Sequence, residues 1–286
     1  MSRADLQSGY AQLTVNSFYI LSALLLMPIN WYLELLKWKV IVQTIQNSNW
    51  KTLIQSLLSG ISTGMVTPNR IGNFIGRIIY YPPRNRALLI LGTLYANLAQ
   101  FLASILPGLI VLAIVETSVL GDYFSIFQNT FYTLLLILFF TVLFLLYFAL
   151  PRLMVKFSSF LRIPYTNLIV LFTTNFANKG AKLFLLSQIR YIIFCLQYFL
   201  LFIAFGADPS YELFTVVILI YFLTTATPSL FLGKLFIREN YALLLAMPLL
   251  YNELLILVAS LAIWFINIAI PSMIGLTFFL KAKYDN

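Results

Sequence analysis

Residues Leu134–Leu150 read LLLILFFTVLFLLYFAL, seventeen positions without one charged side chain. A helix that is apolar on every side belongs in lipid, because a water-facing helix needs a polar stripe. Tyr191–Gly206 is a second run of the same kind. The chain around them agrees: 61% of its 286 residues are hydrophobic, 9% are charged and the mean hydropathy is +0.92, too little polar surface for a soluble domain of this size. The period-two alternation that a transmembrane β-barrel requires is missing. The sequence therefore predicts an all-α, polytopic transmembrane bundle forming a single integral membrane domain over residues 1–286.

A formal charge of +9 raises the question of nucleic acid, but no basic run is attached to a soluble domain that would present it. Positive-inside bias accounts for the charge, and no nucleic-acid partner is expected. The chain has no histidine, which removes His-based metal sites and His general bases; no metal and no cofactor are expected. Cys195 lies in an apolar helix without a disulfide partner and reads as packing. The polar start, Met1–Ala11, precedes a segment long enough to remain in the membrane, so a signal-peptide pattern is not expected.

Lysine and arginine set the topology. Glu116–Thr130, Ala207–Glu212 and Pro248–Glu253 contain neither residue and are expected outside, whereas Lys37–Lys51, Pro82–Arg86, Arg152–Lys182 and the tail with Lys281 and Lys283 are expected inside. Full crossings then fit at about 14–36, 87–115, 130–150, 183–205 and 254–280, with the N-terminus outside. Two segments remain, about 52–83 and about 213–247, and each must leave and return on one side. Thr52–Val66, roughly 22 Å of helix, falls short of the hydrocarbon thickness of about 30 Å. Both segments are thus expected to be re-entrant helical hairpins of opposite orientation, shielded from lipid inside the bundle. Small residues agree, with Gly60/Gly64 and Gly72/Gly76 at the spacing that permits close helix approach. Between Arg152 and Lys182 the pattern fits either an amphipathic surface helix or a further partial insertion.

Each hairpin contains a Thr-Pro pair, Thr67-Pro68 and Thr227-Pro228, followed by glycine and arginine: Gly72 and Arg77 in the first, Gly233 and Arg238 in the second. Weak internal similarity of opposite sense is the pattern of inverted repeats in secondary transporters. Thr as N-cap and Pro at the first helical position predict that each pair opens a half-helix whose free N–H groups attract an anion. Arg70, Asn73 and Arg77 then share one helix face, as do Lys234 and Arg238, and guanidinium suits a phosphate fork. The expected lipid-phosphate site is Thr67, Pro68, Arg70, Asn73, Arg77, Thr227, Pro228, Gly233, Lys234, Arg238 and Glu239. Plainer readings stand beside it. Arg77 and Arg238 can snorkel to an interface, and Arg190 reads as doing so. Glu239 reads as a counter-ion for Arg238 or Arg77, Asn97 and Gln100 as interhelical hydrogen-bond glue, Pro107-Gly108 as a kink, and Trp31, Trp38 and Trp50 as interfacial anchors.

Trp38-Lys39, Pro68-Asn69-Arg70-Ile71-Gly72-Asn73 and Arg77 together resemble the P-x-R-x-G-E-x-x-x-R region of the lysylphosphatidylglycerol synthase transmembrane-region family, also called flippase-like domain proteins. Pro228 through Ile237-Arg238-Glu239 resembles that family's second signature. Two departures stand out: Asn73 occupies a usual Glu position, and Leu232-Gly233-Lys234 keeps one glycine of a usual pair. Family members commonly begin with one further transmembrane helix, and the lysine-transferring members carry a large soluble domain after the last helix, where this sequence has only Lys281–Asn286. The resemblance implies translocation of an aminoacylated phospholipid or related lipid-linked molecule, in the plasma membrane of a bacterium, by a chain with no catalytic residues. Membrane lipids are the expected partners, with a membrane-associated synthase or glycosyltransferase as another. Two alternatives remain open: a membrane-embedded transferase using a lipid-phosphate donor, with Glu239 or Glu34 as base, and a non-catalytic membrane partner of such an enzyme.

Overall fold

The computed structural model describes residues 16–67, 70–114, 130–156, 176–228, 233–250 and 252–284; the side chains of Thr130, Thr133, Met154, Val155, Phe176, Ala177, Lys234, Lys283 and Tyr284 lie outside that description. Among the described residues every regular element is helical: α1 (Ser17–Ile45), α2 (Trp50–Met65), α3 (Gly72–Ile78), α4 (Pro83–Ile114), α5 (Thr130–Lys156), α6 (Phe176–Ala204), α7 (Tyr211–Ala226), α8 (Gly233–Leu250), α9 (Glu253–Trp264), a π-helical turn Phe265–Ala269, and α10 (Ile270–Tyr284).

Five helical stretches are long and apolar enough to cross a membrane: Ser17–Ile45, Pro83–Ile114, Leu134–Leu153, Asn178–Ala204 and Glu253–Ala282. The chain is an all-α, polytopic integral membrane protein. Each crossing read from the sequence overlaps one of these stretches. The first runs further than hydropathy suggested, because α1 continues through Lys37 and Trp38 to Ile45. Both residues are buried, at 2% and 0% exposure, so the protein interior, not the membrane interface, accepts them. This corrects two expectations, Lys37 as part of an inside loop and Trp38 as an interfacial anchor.

In the last crossing, Asn252 caps α9 by accepting the Leu254 and Leu255 N–H groups. The π-helical turn that follows contains Asn267, whose side chain accepts from Asn30 Nδ2 at 2.9 Å and donates to Gln197 Oε1 at 3.1 Å; Gln197 in turn donates to the Ala23 carbonyl. These amides are buried and joined in one chain, which ties α1, α6 and the π turn together where lipid offers no alternative partner.

Helices α2 and α7 are 16 residues each, about 24 Å by helical rise. Their starts are alike: Asn49 accepts the Thr52 N–H at 2.8 Å and Ser210 accepts the Leu213 N–H at 3.2 Å. Their ends are alike too, for α2 stops at Met65 just before Thr67 and α7 stops at Ala226 with Thr227 as its C-cap. The Thr-Pro pairs therefore stand where helices end, and their expected role as helix starts falls on residues 68–69 and 229–232, outside the described residues. The reason for the ends is local. A proline ring clashes with the preceding residue in the helical region and drives it extended, and Thr227 sits at φ −80°, ψ 119°. The next described α-helices run from Gly72 and Gly233. Residues 68–69 and 229–232 lie outside the described residues, as does most of the basic segment 152–182.

The chain groups into two compact units. One comprises Met1–Trp31, Ser104–Ile137 and Tyr191–Ala269 and contains the α7–α8 pair; the other comprises Tyr32–Ala103, Leu138–Arg190 and Ile270–Asn286 and contains the α2–α3 pair. Fifteen of the 18 lysines and arginines fall in the sequence of the second unit, against two of the nine acids.

Candidate functional site, a buried charge cluster beside the first helix pair

Helices α2 and α3 meet along their glycines. A Cβ at Gly72 would overlap the Thr63 carbonyl, one at Gly76 the Thr63 hydroxyl, and one at Gly60 would lie 2.6 Å from Arg77 Cγ and 2.7 Å from Asn73 Oδ1. The two GxxxG spacings are the two faces of one seam, and they let the backbones approach as side chains would forbid. Hydroxyls fasten it: Thr63 Oγ1 donates to the Gly72 carbonyl at 2.6 Å, and Thr67 Oγ1 donates to the Thr63 carbonyl and accepts the Gly72 N–H at 2.7 Å. Gly275 of α10 packs as closely on the Leu58 carbonyl, and Tyr80 OH donates to the Phe278 carbonyl at 2.8 Å.

This seam carries Arg77 inward to 3% exposure. Its Nε donates to Asn73 Oδ1 at 2.7 Å and its Nη2 to Glu34 Oε1 at 2.9 Å. The second carboxylate oxygen of Glu34 lies 3.2 Å from Lys37 Nζ and 3.0 Å from Arg190 Nη1. Gln100 completes the group, accepting from Lys37 Nζ at 3.1 Å and donating through Nε2 to the Ser187 carbonyl at 3.3 Å. Trp38 closes one side: Arg77 Cζ lies 5.2 Å from its ring centroid, and its Nε1–H donates to Ser56 Oγ at 2.8 Å.

The charges do not balance. Three cationic side chains surround one carboxylate, a formal +2, and Glu34 is the only carboxylate among the described residues of this unit. Two unit charges 4 Å apart at an effective dielectric near 20 interact by about 4 kcal/mol, so gathering three cations carries a cost of that order per neighbouring pair. One carboxylate offsets part of it. Buried charge of this kind in a membrane protein marks a functional site by default.

Sequence reasoning nominated Arg77 and Asn73, and the structure joins them. It does not bring Arg70 with them: Arg70 precedes α3, is exposed, and has φ 56°, the left-handed region, so it is off the helix face it was assigned to. Glu34, Lys37 and Arg190 were missed as a group. Arg190 does not snorkel; its side chain is 11% exposed and paired with Glu34. The carboxylate paired with Arg77 is Glu34. The available signal was Glu34-x-x-Lys37, an i, i+3 acid–base pair inside a hydrophobic helix. Gln100 does serve as interhelical glue, while Asn97 is exposed.

In the second pair, Arg238 donates to Ser260 Oγ at 3.2 Å and to the Ser260 carbonyl at 2.7 Å, and Thr227 Oγ1 is 2.9 Å from Tyr241 OH. Glu239 Oε1 is buried without a hydrogen-bond partner. Gly233 begins α8, Pro228 is exposed, and the Lys234 side chain and Pro68 lie outside the described residues. No family model matches the chain, and no curated protein or solved structure matches it. The likeness to flippase-like domain proteins thus stands on the quoted motif residues.

Proposed function

We propose that this protein is a lipid translocase of the flippase-like kind, moving an anionic or zwitterionic phospholipid or lipid-linked phosphate across a bacterial plasma membrane. The observation that carries the reading is the buried excess of positive charge around Glu34, which a phosphate would neutralise. Helices α2 and α7 support it, since at about 24 Å neither matches the hydrocarbon thickness of about 30 Å and each ends at a Thr-Pro break. On this reading the α2–α3 and α7–α8 pairs are re-entrant hairpins of opposite orientation, the two copies of an inverted repeat. Arg77 and Arg238 bind headgroups, each within its own unit, while acyl chains stay in the bilayer. The partners are membrane lipids, with a synthase or glycosyltransferase as a supplier of the lipid.

Lipid flux in proteoliposomes tests this. Arg77→Gln leaves Glu34 paired with Lys37 and Arg190, so the variant is expected to fold, and its transbilayer movement of a headgroup-labelled phospholipid is expected to fall at least tenfold. Wild-type flux in a folded Arg77→Gln protein would refute the assignment.

A further inference from the structure

The α1–α3–α6 cluster has a charge that specifies more than an anion. We infer that it is a site for a phosphate monoester dianion, and that Glu34 is its resident stand-in, a carboxylate held by the three cations until a phosphate replaces it. The inference rests on the translocase reading for the site's role and adds the substrate class. Glu34 Oε1 accepts from Arg77, while Oε2 lies within ion-pair distance of Lys37 and Arg190 without a hydrogen bond, so the cations are gathered around an oxyanion position whose second oxygen is not fully used. Asn73 and Gln100 hold two of the cations from behind, Asn73 on Arg77 and Gln100 on Lys37, which fixes the donors independently of the anion among them. A carboxylate or phosphodiester brings one negative charge, and a phosphate monoester above its second ionisation, near pH 6, brings two. Glu34, moved off the cations but still carried beside them on α1, keeps the cluster at +2, which a dianion cancels and a monoanion only halves. Arginine supplies the planar fork for such an oxyanion and lysine a point charge, and the cluster has both.

The same chemistry arrives either at the end of a lipid or as free phosphate, and direct binding separates the two. The full chain in nanodiscs would be measured by native mass spectrometry against equal phosphatidic acid, a monoester, and phosphatidylglycerol, a diester, of matched acyl chains. At pH 8 phosphatidic acid is expected to be retained about tenfold over phosphatidylglycerol, and the preference is expected to fall to about twofold or less at pH 5. Lys37→Met lowers the cluster to +1 and is expected to abolish the preference for phosphatidic acid over phosphatidylglycerol. Inorganic phosphate at millimolar concentration is expected not to displace phosphatidic acid, which assigns the lipid-borne monoester; displacement supports the site with free phosphate as its ligand. Equal retention of the two lipids at pH 8, or a preference that ignores pH, overturns the inference, and the wild-type pH series decides even if Lys37→Met fails to fold. Monoester preference without lipid flux keeps this site and discards the translocase reading; flux without monoester preference does the reverse.

Discussion

The two helix pairs share a plan and differ in what holds their arginine. Both begin with a 16-residue helix capped by Asn49 or Ser210, and both break at Thr-Pro. Yet Arg77 meets a carboxylate, an amide and an indole, whereas the described hydrogen bonds of Arg238 go to a neutral residue, Ser260. The surrounding units differ in the same sense: the unit with Arg77 holds 15 of the 18 basic residues, and the unit with Arg238 holds seven of the nine acids. Positive-inside bias explains the exposed part of that imbalance. It does not explain Lys37 and Arg77, which are buried, or Arg190, whose largely covered side chain pairs with Glu34. Two helix pairs can therefore share a local plan while their surroundings differ in charge.

Removing the acid of each pair gives the largest contrast. Glu34→Ala leaves three buried cations with no carboxylate and is expected to cost about 3–5 kcal/mol, the usual penalty for removing one partner from a buried ion pair. Glu239→Ala removes an acid whose Oε1 is buried without a hydrogen-bond partner, and is expected to leave stability unchanged or raise it by about 1 kcal/mol. Unfolding midpoints of the two variants in the same detergent compare them directly. A greater loss at Glu239 breaks the contrast between the pairs.

The crossings were legible because hydrophobic length against bilayer thickness is a strong, local signal, and Leu134–Leu150 alone shows it. The helix ends at Thr67 and Thr227 were legible for a similar reason, since Pro228 holds Thr227 extended. The half-helix starts expected at the same pairs fall on residues 68–69 and 229–232, outside the described residues. The cluster was largely illegible. Glu34 and Arg190 are far apart in sequence, and a charged residue a few turns from a helix end has the same sequence appearance whether it snorkels or meets a partner inside. Pseudo-symmetry suggested Glu239 for Arg77, and only packing reveals that the acid comes from α1.

The glycine seam is the next point of difference. Gly72→Ala places a Cβ against the Thr63 carbonyl, a backbone atom that cannot rotate away, so a loss of about 3 kcal/mol is expected, at the upper end for overpacking. Gly92→Ala meets the Ile41 Cγ2 methyl, a side-chain atom of restricted rotamer but not a backbone carbonyl, and is expected to cost about 1–2 kcal/mol. Similar losses at the two positions would show that α2 and α3 are not locked by their backbones, and Arg77 would lose its rigid mount.

The smallest expected effect concerns Trp38, where two physical roles give different outcomes. As an interfacial anchor, Trp38 would hold α1 at the headgroups, and replacing it with Phe would alter depth or insertion without involving Ser56. As a buried donor, it loses one hydrogen bond, worth about 1 kcal/mol, and that loss is shared with Ser56 because Nε1 and Oγ are partners at 2.8 Å. A double-mutant cycle of Trp38→Phe with Ser56→Ala is therefore expected to show a coupling of about 1 kcal/mol. Additive effects would place Trp38 outside the seam. Ser56 also lies 3.2 Å from Tyr81 OH, and Tyr81 meets the Trp38 ring edge-on, so the coupling would further identify this aromatic pair as the wall that keeps Arg77 facing Glu34.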